Sequence, residues 1–357
     1  TGNDAVSIYG TQSNVSNRNY DFGGDVSTSY YKNGLANSKL TWERTQEFNI
    51  GLDFGFFRNR INGSLDVYQR TSKDLIMERQ LPSTTGWTSV WDNIGKVRNT
   101  GLELSINTIN VQTSDFSWQT NIIFDTNKNE ILELYGGKKD DIGNKWFIGE
   151  AINVNYDYEF DGIWQTSEAD KAAIYGQTPG QVKVKDQNHD NVIDAKDKVI
   201  LGQQLPKWTG SITNTFTYKN WDLAFNVYTR QGAQLNSTFV SSFMAYDGNY
   251  NQAKVDYWTE TNPTNKYPQP GNKGKYFSSM CYQDVSFVRV GYITLGYTFP
   301  MSLLKPIGIK RLKLYATANN PFLFTSFKGF DPEWATQNTW GEATSTRTFL
   351  FGVKLAF

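Results

Sequence analysis

Thr346-Arg347-Thr348-Phe349-Leu350-Phe351-Gly352-Val353-Lys354-Leu355-Ala356-Phe357 closes the chain, and its spacing decides the fold. Phe349, Phe351, Val353, Leu355 and Phe357 fall on every second position, with Leu350, Gly352, Lys354 and Ala356 between them. A strand sends successive side chains to opposite faces, so one face here is wholly apolar up to the last residue. In a soluble protein such an edge invites aggregation. A closed barrel in a bilayer has a use for it, because lipid meets the apolar face and neighbouring strands pair both edges.

Working outward, the same period recurs. Phe48, Ile50, Leu52, Phe54 and Phe56 alternate with Asn49, Gly51, Asp53 and Gly55, and after the turn Arg58-Asn59-Arg60 so do Ile61, Leu65 and Val67 with polar neighbours. Two such runs joined by a short turn predict a hairpin. Further runs are Leu102–Ile106, Phe116–Phe124, Trp208–Tyr218, Trp221–Val227, Val285–Phe299 and Lys310–Asn319. The turns 112–115 and Lys219-Asn220 are short, whereas the polar segments at about 73–99, 128–206, 231–284 and 320–345 are long. Alternating short turns and long loops are the pattern of an outer-membrane barrel. A soluble sandwich also alternates, but its connections are usually short at both ends.

The reading is therefore all-β: a transmembrane antiparallel β-barrel with long extracellular loops, of which residues 41–357 supply about nine strands. Residues 1–40, rich in Ser, Asn, Gly and Tyr, read as an extracellular loop region with a short strand near Val6–Tyr9. A short helix is expected at Ser167–Tyr175 with Ser167 as its N-cap. Nine is odd and bacterial barrels use even numbers, so the remaining strands are expected in a preceding part of a larger protein.

Composition narrows the function. With 35 Lys+Arg against 35 Asp+Glu, no net field draws in nucleic acid. One Cys forbids an internal disulfide, and one His leaves one position for any histidine-based triad. No apolar run is long enough for a membrane helix, which does not bear on strands that alternate.

One local motif points to a metal. In Asp186-Gln187-Asn188-His189-Asp190-Asn191-Val192-Ile193-Asp194-Ala195-Lys196-Asp197, side-chain oxygens occupy loop positions 1, 3, 5, 9 and 12, with an apolar residue at 8. That is the spacing of an EF-hand-type calcium loop, in which position 7 gives its backbone carbonyl. Asp186, Asn188, Asp190, Val192, Asp194 and Asp197 are the expected ligands of a structural Ca²⁺. Asn191 stands where Gly is usual and Asp197 where Glu is usual. The plain alternative is a solvated turn rich in Asp and Asn.

The run from Leu40-Thr41-Trp42-Glu43 to Asn49-Ile50-Gly51-Leu52-Asp53-Phe54 resembles SusC/RagA-type TonB-dependent transporters of Bacteroidetes outer membranes. So do Asn59-Arg60-Ile61, Asp66-Val67-Tyr68, Thr71–Ile76, Asn93-Ile94-Gly95 with Asn99–Glu103, Asp186–Gly202 followed by Pro206, and the closing aromatic strand. The resemblance implies a plugged barrel of roughly 22 strands. It implies energy-coupled import of an oligosaccharide, peptide or similar nutrient in a Gram-negative outer membrane, with a SusD-like surface lipoprotein as partner and no enzymatic step. The plug and the TonB-contacting segment are N-terminal in that family and are not seen in these residues.

Trp87, Trp91, Trp164, Trp334 and Trp340 lie in the long segments and are candidates for stacking on a nutrient, against the plainer role of packing the loops. Trp42, Trp118, Trp208 and Trp221 suit interfacial girdles. Two rival functions stay open: an outer-membrane barrel enzyme, and a secreted calcium-dependent carbohydrate-binding β-protein.

Overall fold

The computed structural model describes residues 15–246, 252–335 and 345–357. The strand expected near Val6–Tyr9, and Trp340, lie outside the described residues. Among the described residues, nine antiparallel strands form the main sheet in sequential order: β1 Arg44–Phe56, β2 Ile61–Gln80, β3 Ser89–Gln112, β4 Phe116–Leu134, β5 Trp208–Tyr218, β6 Trp221–Gln231, β7 Phe287–Thr298, β8 Arg311–Thr325 and β9 Thr348–Ala356. No helix among the described residues is long and apolar enough to cross a membrane, which says nothing of crossing by strands.

The register shows how alternation sorts the side chains. Trp118, Phe216, Leu223, Leu295, Ala316 and Phe351 stand directly opposite one another across β4 to β9. One residue along, Ser117, Thr217, Asp222, Gly296, Tyr315 and Gly352 make the adjacent row. Side chains reverse face at each step, so an apolar row lies back to back with a polar and small one. On the polar face Lys313 Nζ meets Asp222 at 2.7 Å. The Tyr315 ring lies over Gly352, where a Cβ would collide with it.

The remaining strands follow the same rule. The Phe54 ring covers Gly63, which puts Ile61, Gly63 and Leu65 on its face. On the opposite face Asn107 donates to Asn62 and accepts from Asn121, leaving Leu104 and Ile106 with Leu65. Asn214 is a polar residue on the apolar face, and its Oδ1 accepts from Trp118 Nε1 at 2.8 Å and Thr120 Oγ1 at 2.7 Å. These bonds satisfy a group that hydrocarbon would otherwise leave unpaired.

Aromatic residues mark both ends of this face. Trp118 stacks on Phe216 (5.6 Å) and Trp221 packs on Tyr297 (4.7 Å) near the short turns, while Phe124 meets Trp208 (5.8 Å) at the far end. Strand β5, 11 residues from Trp208 to Tyr218, separates the two rows. Tilted at about 45°, a strand of that length rises about 25 Å, the height of an outer-membrane apolar band.

The chain divides into two compact units. The first comprises Thr1–Ile50, Val67–Gly101 and Asn127–Asn153. Its core is Met77, Ile94, Val97, Ile131 and Leu134, with Trp146 and Ile148 packed against it. Ion pairs Arg44–Asp74 (2.6 Å), Arg70–Glu47 (2.8 Å) and Arg98–Glu130 (3.0 Å) cross the strands here.

This unit departs from the sequence reading in two places. The polar segment at about 73–99 is mostly strand, because β2 runs to Gln80 and β3 starts at Ser89. Leu75, Ile76 and Met77, and likewise Val90 and Trp91, are consecutive there instead of alternating with polar residues, so the period fades while the strands continue. Residues 1–40, expected as loop, contain a hairpin of Val15–Phe22 with Asp25–Lys32, turned by Gly23 and Gly24 at positive φ. Its Ser, Asn and Tyr residues hide the strands from a reading by hydrophobic period.

The second unit comprises Gly51–Asp66, Leu102–Thr126 and Val154–Phe357. It holds β5 to β9, the alternating stretches of β1 to β4, and two long folded connections. Asn226 pairs with Tyr292 but Val227 with Val290, so Gly291 is an extra residue that bulges β7. The expected helix starts two residues late: Thr166–Glu168 is a 3₁₀ turn and Ala169–Ile174 the α-helix. Ser167 is inside the turn instead of capping it, and the Glu168 carboxylate accepts from Gln165 N–H (3.0 Å).

Candidate functional site

The connections β4–β5 and β6–β7 are built structures. Phe160–Ile163 pairs with Val182–Val184, Val154–Tyr158 with Lys198–Gln203, and Gln234–Asn236 with Tyr282–Asp284. Ile163, Val182, Val240, Met244, Trp258, Phe277 and Cys281 fill a core between them. Burial pushes the Cys281 thiol up to about 12, against a smaller opposing effect of Lys273, so it is no thiolate nucleophile at neutral pH.

The acidic loop is anchored on this core through Ile193. Asp186 accepts from the N–H of His189 (2.7 Å) and Asn191 (2.9 Å) and from the Tyr175 hydroxyl (3.1 Å). Asn188 accepts from Asp190 N–H (3.1 Å), and Asp190 from Val192 N–H (2.9 Å). Asp194 accepts from Lys196 N–H (2.7 Å). Asp197, fully buried, closes the loop by accepting from the N–H of Gln187 (2.9 Å) and Asp194 (2.8 Å). Asn191 takes the left-handed conformation (φ 64°) that Gly would supply, as does His189 (φ 60°).

Burial would raise the Asp186 carboxyl, but the Asn191 N–H, the Tyr175 hydroxyl and the His189 N–H outweigh it and hold the group below the usual carboxylate range. The donors are all oxygen, in calcium order. Among the described residues, however, no three His, Cys, Asp or Glu side chains gather closely enough to share a metal ion. The donor chemistry fits calcium; the geometry is that of a self-bonded turn.

A pocket of about 660 Å³ opens beside the core. Its lining includes Phe160, Met244 and Met280, with Lys254, Lys266, Tyr267, Asp284 and Lys328 around them. Nothing in the sequence flagged it, because its walls come from residues 160 to 328 brought together only by folding.

A buried charge cluster ties the β8–β9 connection to the sheet. Arg289 Nη2 meets Asp331 Oδ1 at 2.6 Å, with side chains 2% and 3% exposed. Glu333 accepts from the Tyr228 hydroxyl (2.9 Å) and pairs with Arg230 (3.1 Å). A charge inside the run Phe287-Val288-Arg289-Val290 was the available sequence signal.

The tryptophans divide. Trp164 is buried, bonded through Nε1 to Gln177 (3.0 Å), stacked on Tyr175 (5.9 Å) and covered by the Lys183 ammonium. Trp334 is exposed and donates to Ser345 Oγ (3.2 Å). Trp87 and Trp91 are half-buried in the first unit.

The family model described as TonB dependent receptor-like, beta-barrel, matches residues 3–320. The chain belongs to the TonB-dependent receptor β-barrel family. It is 31% identical over 349 residues to TonB-dependent receptor P26 of Formosa agariphila, covering 93% of this chain and 35% of that one. It is 31% identical over 350 residues to TonB-dependent receptor SusC of Bacteroides thetaiotaomicron, covering 95% and 34%. The structure titled "Structure of the RagAB peptide transporter" matches all of this chain and 40% of that one, with TM-score 0.78 and 26% identity. The chain thus spans about a third of the length of its curated relatives. As a TonB-dependent receptor barrel segment, it has the all-β fold read from its alternation, and its relatives are receptors and transporters.

Proposed function

We propose that this chain forms barrel wall and outer surface of a SusC-like transporter that imports a nutrient across a Gram-negative outer membrane. The continuous apolar row from Trp118 to Phe351 carries this reading, since a barrel wall facing lipid requires it. In it, TonB supplies the energy through a part of the protein outside this chain, and a SusD-like lipoprotein seats on the folded connections. The protein moves its ligand without transforming it. Cells carrying the intact protein should accumulate its nutrient only when TonB is present, and the protein should leave the membrane only with detergent. TonB-independent accumulation, or release into buffer without detergent, would overturn the proposal.

The same reading includes a structural calcium. In it, Asp186, Asn188, Asp190 and Asp197 hold the ion by side-chain oxygens, Val192 by its carbonyl, and Asp194 directly or through water. The ion would offset the mutual repulsion of the loop carboxylates and stiffen the outer surface. Calorimetry on the intact protein should show Ca²⁺ binding at about 10⁻⁴–10⁻³ M, lost in Asp186→Ala and Asp190→Ala. The lowered Asp186 pKa sets the sign with pH: its stabilisation is complete above the ordinary Asp value of about 4 and disappears as pH falls through the lowered one. Binding unchanged in both variants would exclude the loop as the site.

A further inference from the structure

We infer that the pocket beside the connection core binds an organic carboxylate with an apolar body, such as the free C-terminal end of a hydrophobic peptide. This rests on the import reading and names the ligand chemistry of one site on that outer surface. The volume, about 660 Å³, lies within the range of small-ligand sites. Its apolar lining is soft: Phe160, Met244 and Met280 present an aromatic ring and two thioethers. Thioether side chains adapt to apolar groups of varied shape. The Tyr267 hydroxyl donates to Met244 Sδ at 3.2 Å and fixes that wall.

Charge supplies the other half of the recognition. Among the described residues, Lys254, Lys266 and Lys328 line the pocket against one carboxylate, Asp284, which already accepts from Ser286 N–H (2.7 Å). Lys266 is held by Asp256 at 3.1 Å in an exposed pair, a weak bond that a ligand can replace. Among the described residues, neither Lys254 nor Lys328 has a carboxylate within 4.0 Å. Lys328 is nonetheless fixed at the backbone, where its N–H donates to Gln283 Oε1 (2.9 Å). Among the described residues no arginine lines the pocket, so the lysines offer point charges suited to a single carboxylate more than a bidentate clamp. Apolar side chains and ammonium groups in one pocket suit an amphipathic anion.

The test is equilibrium binding to the purified intact protein, independent of transport. The probes are trileucine with a free carboxylate, trileucine amide and octanoate. Free trileucine should bind at least about tenfold more tightly than the amide. Lys254→Gln with Lys328→Gln should remove that preference, and Lys254→Arg with Lys328→Arg should restore most of it. Octanoate binding as tightly as trileucine would support the site and assign it to free acids; weaker octanoate binding would support it and assign it to peptides. Equal affinity for acid and amide, or an acid preference intact in the double Gln variant, would overturn it. Failure of TonB-dependent accumulation with the preference intact would count against the import reading and leave the site standing.

Discussion

Asp331→Ala should destabilise the protein by about 3–5 kcal/mol. The Arg289 and Asp331 side chains are almost wholly removed from water and meet at 2.6 Å. The attraction within such a pair roughly offsets the cost of burying two charges, so its net worth is small. Removing one member is different, because the remaining charge keeps its desolvation cost and loses its partner. Arg289 is poorly placed to compensate: among the described residues its buried Nε has no hydrogen-bond partner, and Glu333 is 3.8 Å from Nη2. Asp331 also accepts from the N–H of Glu333 (2.9 Å) and Ser345 (3.2 Å), so its loss releases the connection between β8 and β9. The check is urea unfolding of the intact protein in lipid. Arg289→Met combined with Asp331→Leu should recover most of the loss, since no charge then stays buried. If the double variant were as unstable as Asp331→Ala, the charge argument would be wrong and the backbone hydrogen bonds would be the cause.

Ile293→Arg costs about 2–4 kcal/mol. Ile293 stands opposite Phe225 and Ala318, and Ala318 opposite Phe349, on the apolar face midway between the two aromatic rows. An arginine there meets hydrocarbon. The neighbouring Thr294 is on the polar face and shares one hydrogen bond with Thr317 at 2.9 Å. Thr294→Arg gives up that bond and leaves its charge in a polar setting, a loss of about 1 kcal/mol. The pair of values, measured by the same unfolding assay, should differ by severalfold. Equal costs would mean that β7 has no lipid-facing side.

The membrane stretches were legible because lipid imposes a period of two. Strands β5, β6 and β9 fall where Trp208, Trp221 and Phe349 begin their alternation. The signal ends where apolar and polar residues no longer alternate: Leu75, Ile76 and Met77 are consecutive in Lys73–Gln80, and the hairpin at Val15–Lys32 is mostly polar, so both read as loop although they are strand. The connections were legible only as long segments. Their core joins Ile163 to Val240 and Trp258, and no local pattern announces contacts of that separation. The acidic loop was found by spacing, yet spacing did not reveal that its carboxylates serve backbone N–H groups, as Asp197 does for Gln187 and Asp194. The Arg289–Asp331 pair left one trace, a charge among apolar neighbours, whose partner lies 42 residues away.

The central claim is that alternate side chains of this sheet face lipid, and nitroxide accessibility tests it most directly. Labels would be placed through Ile293→Cys, Leu314→Cys and Phe351→Cys on one face, and Thr294→Cys and Lys354→Cys on the other, in the intact protein in liposomes. The first three should be relaxed by dissolved oxygen and shielded from a water-soluble nickel chelate, and the last two should show the reverse; a uniform response across all five would contradict a barrel wall with one face in lipid.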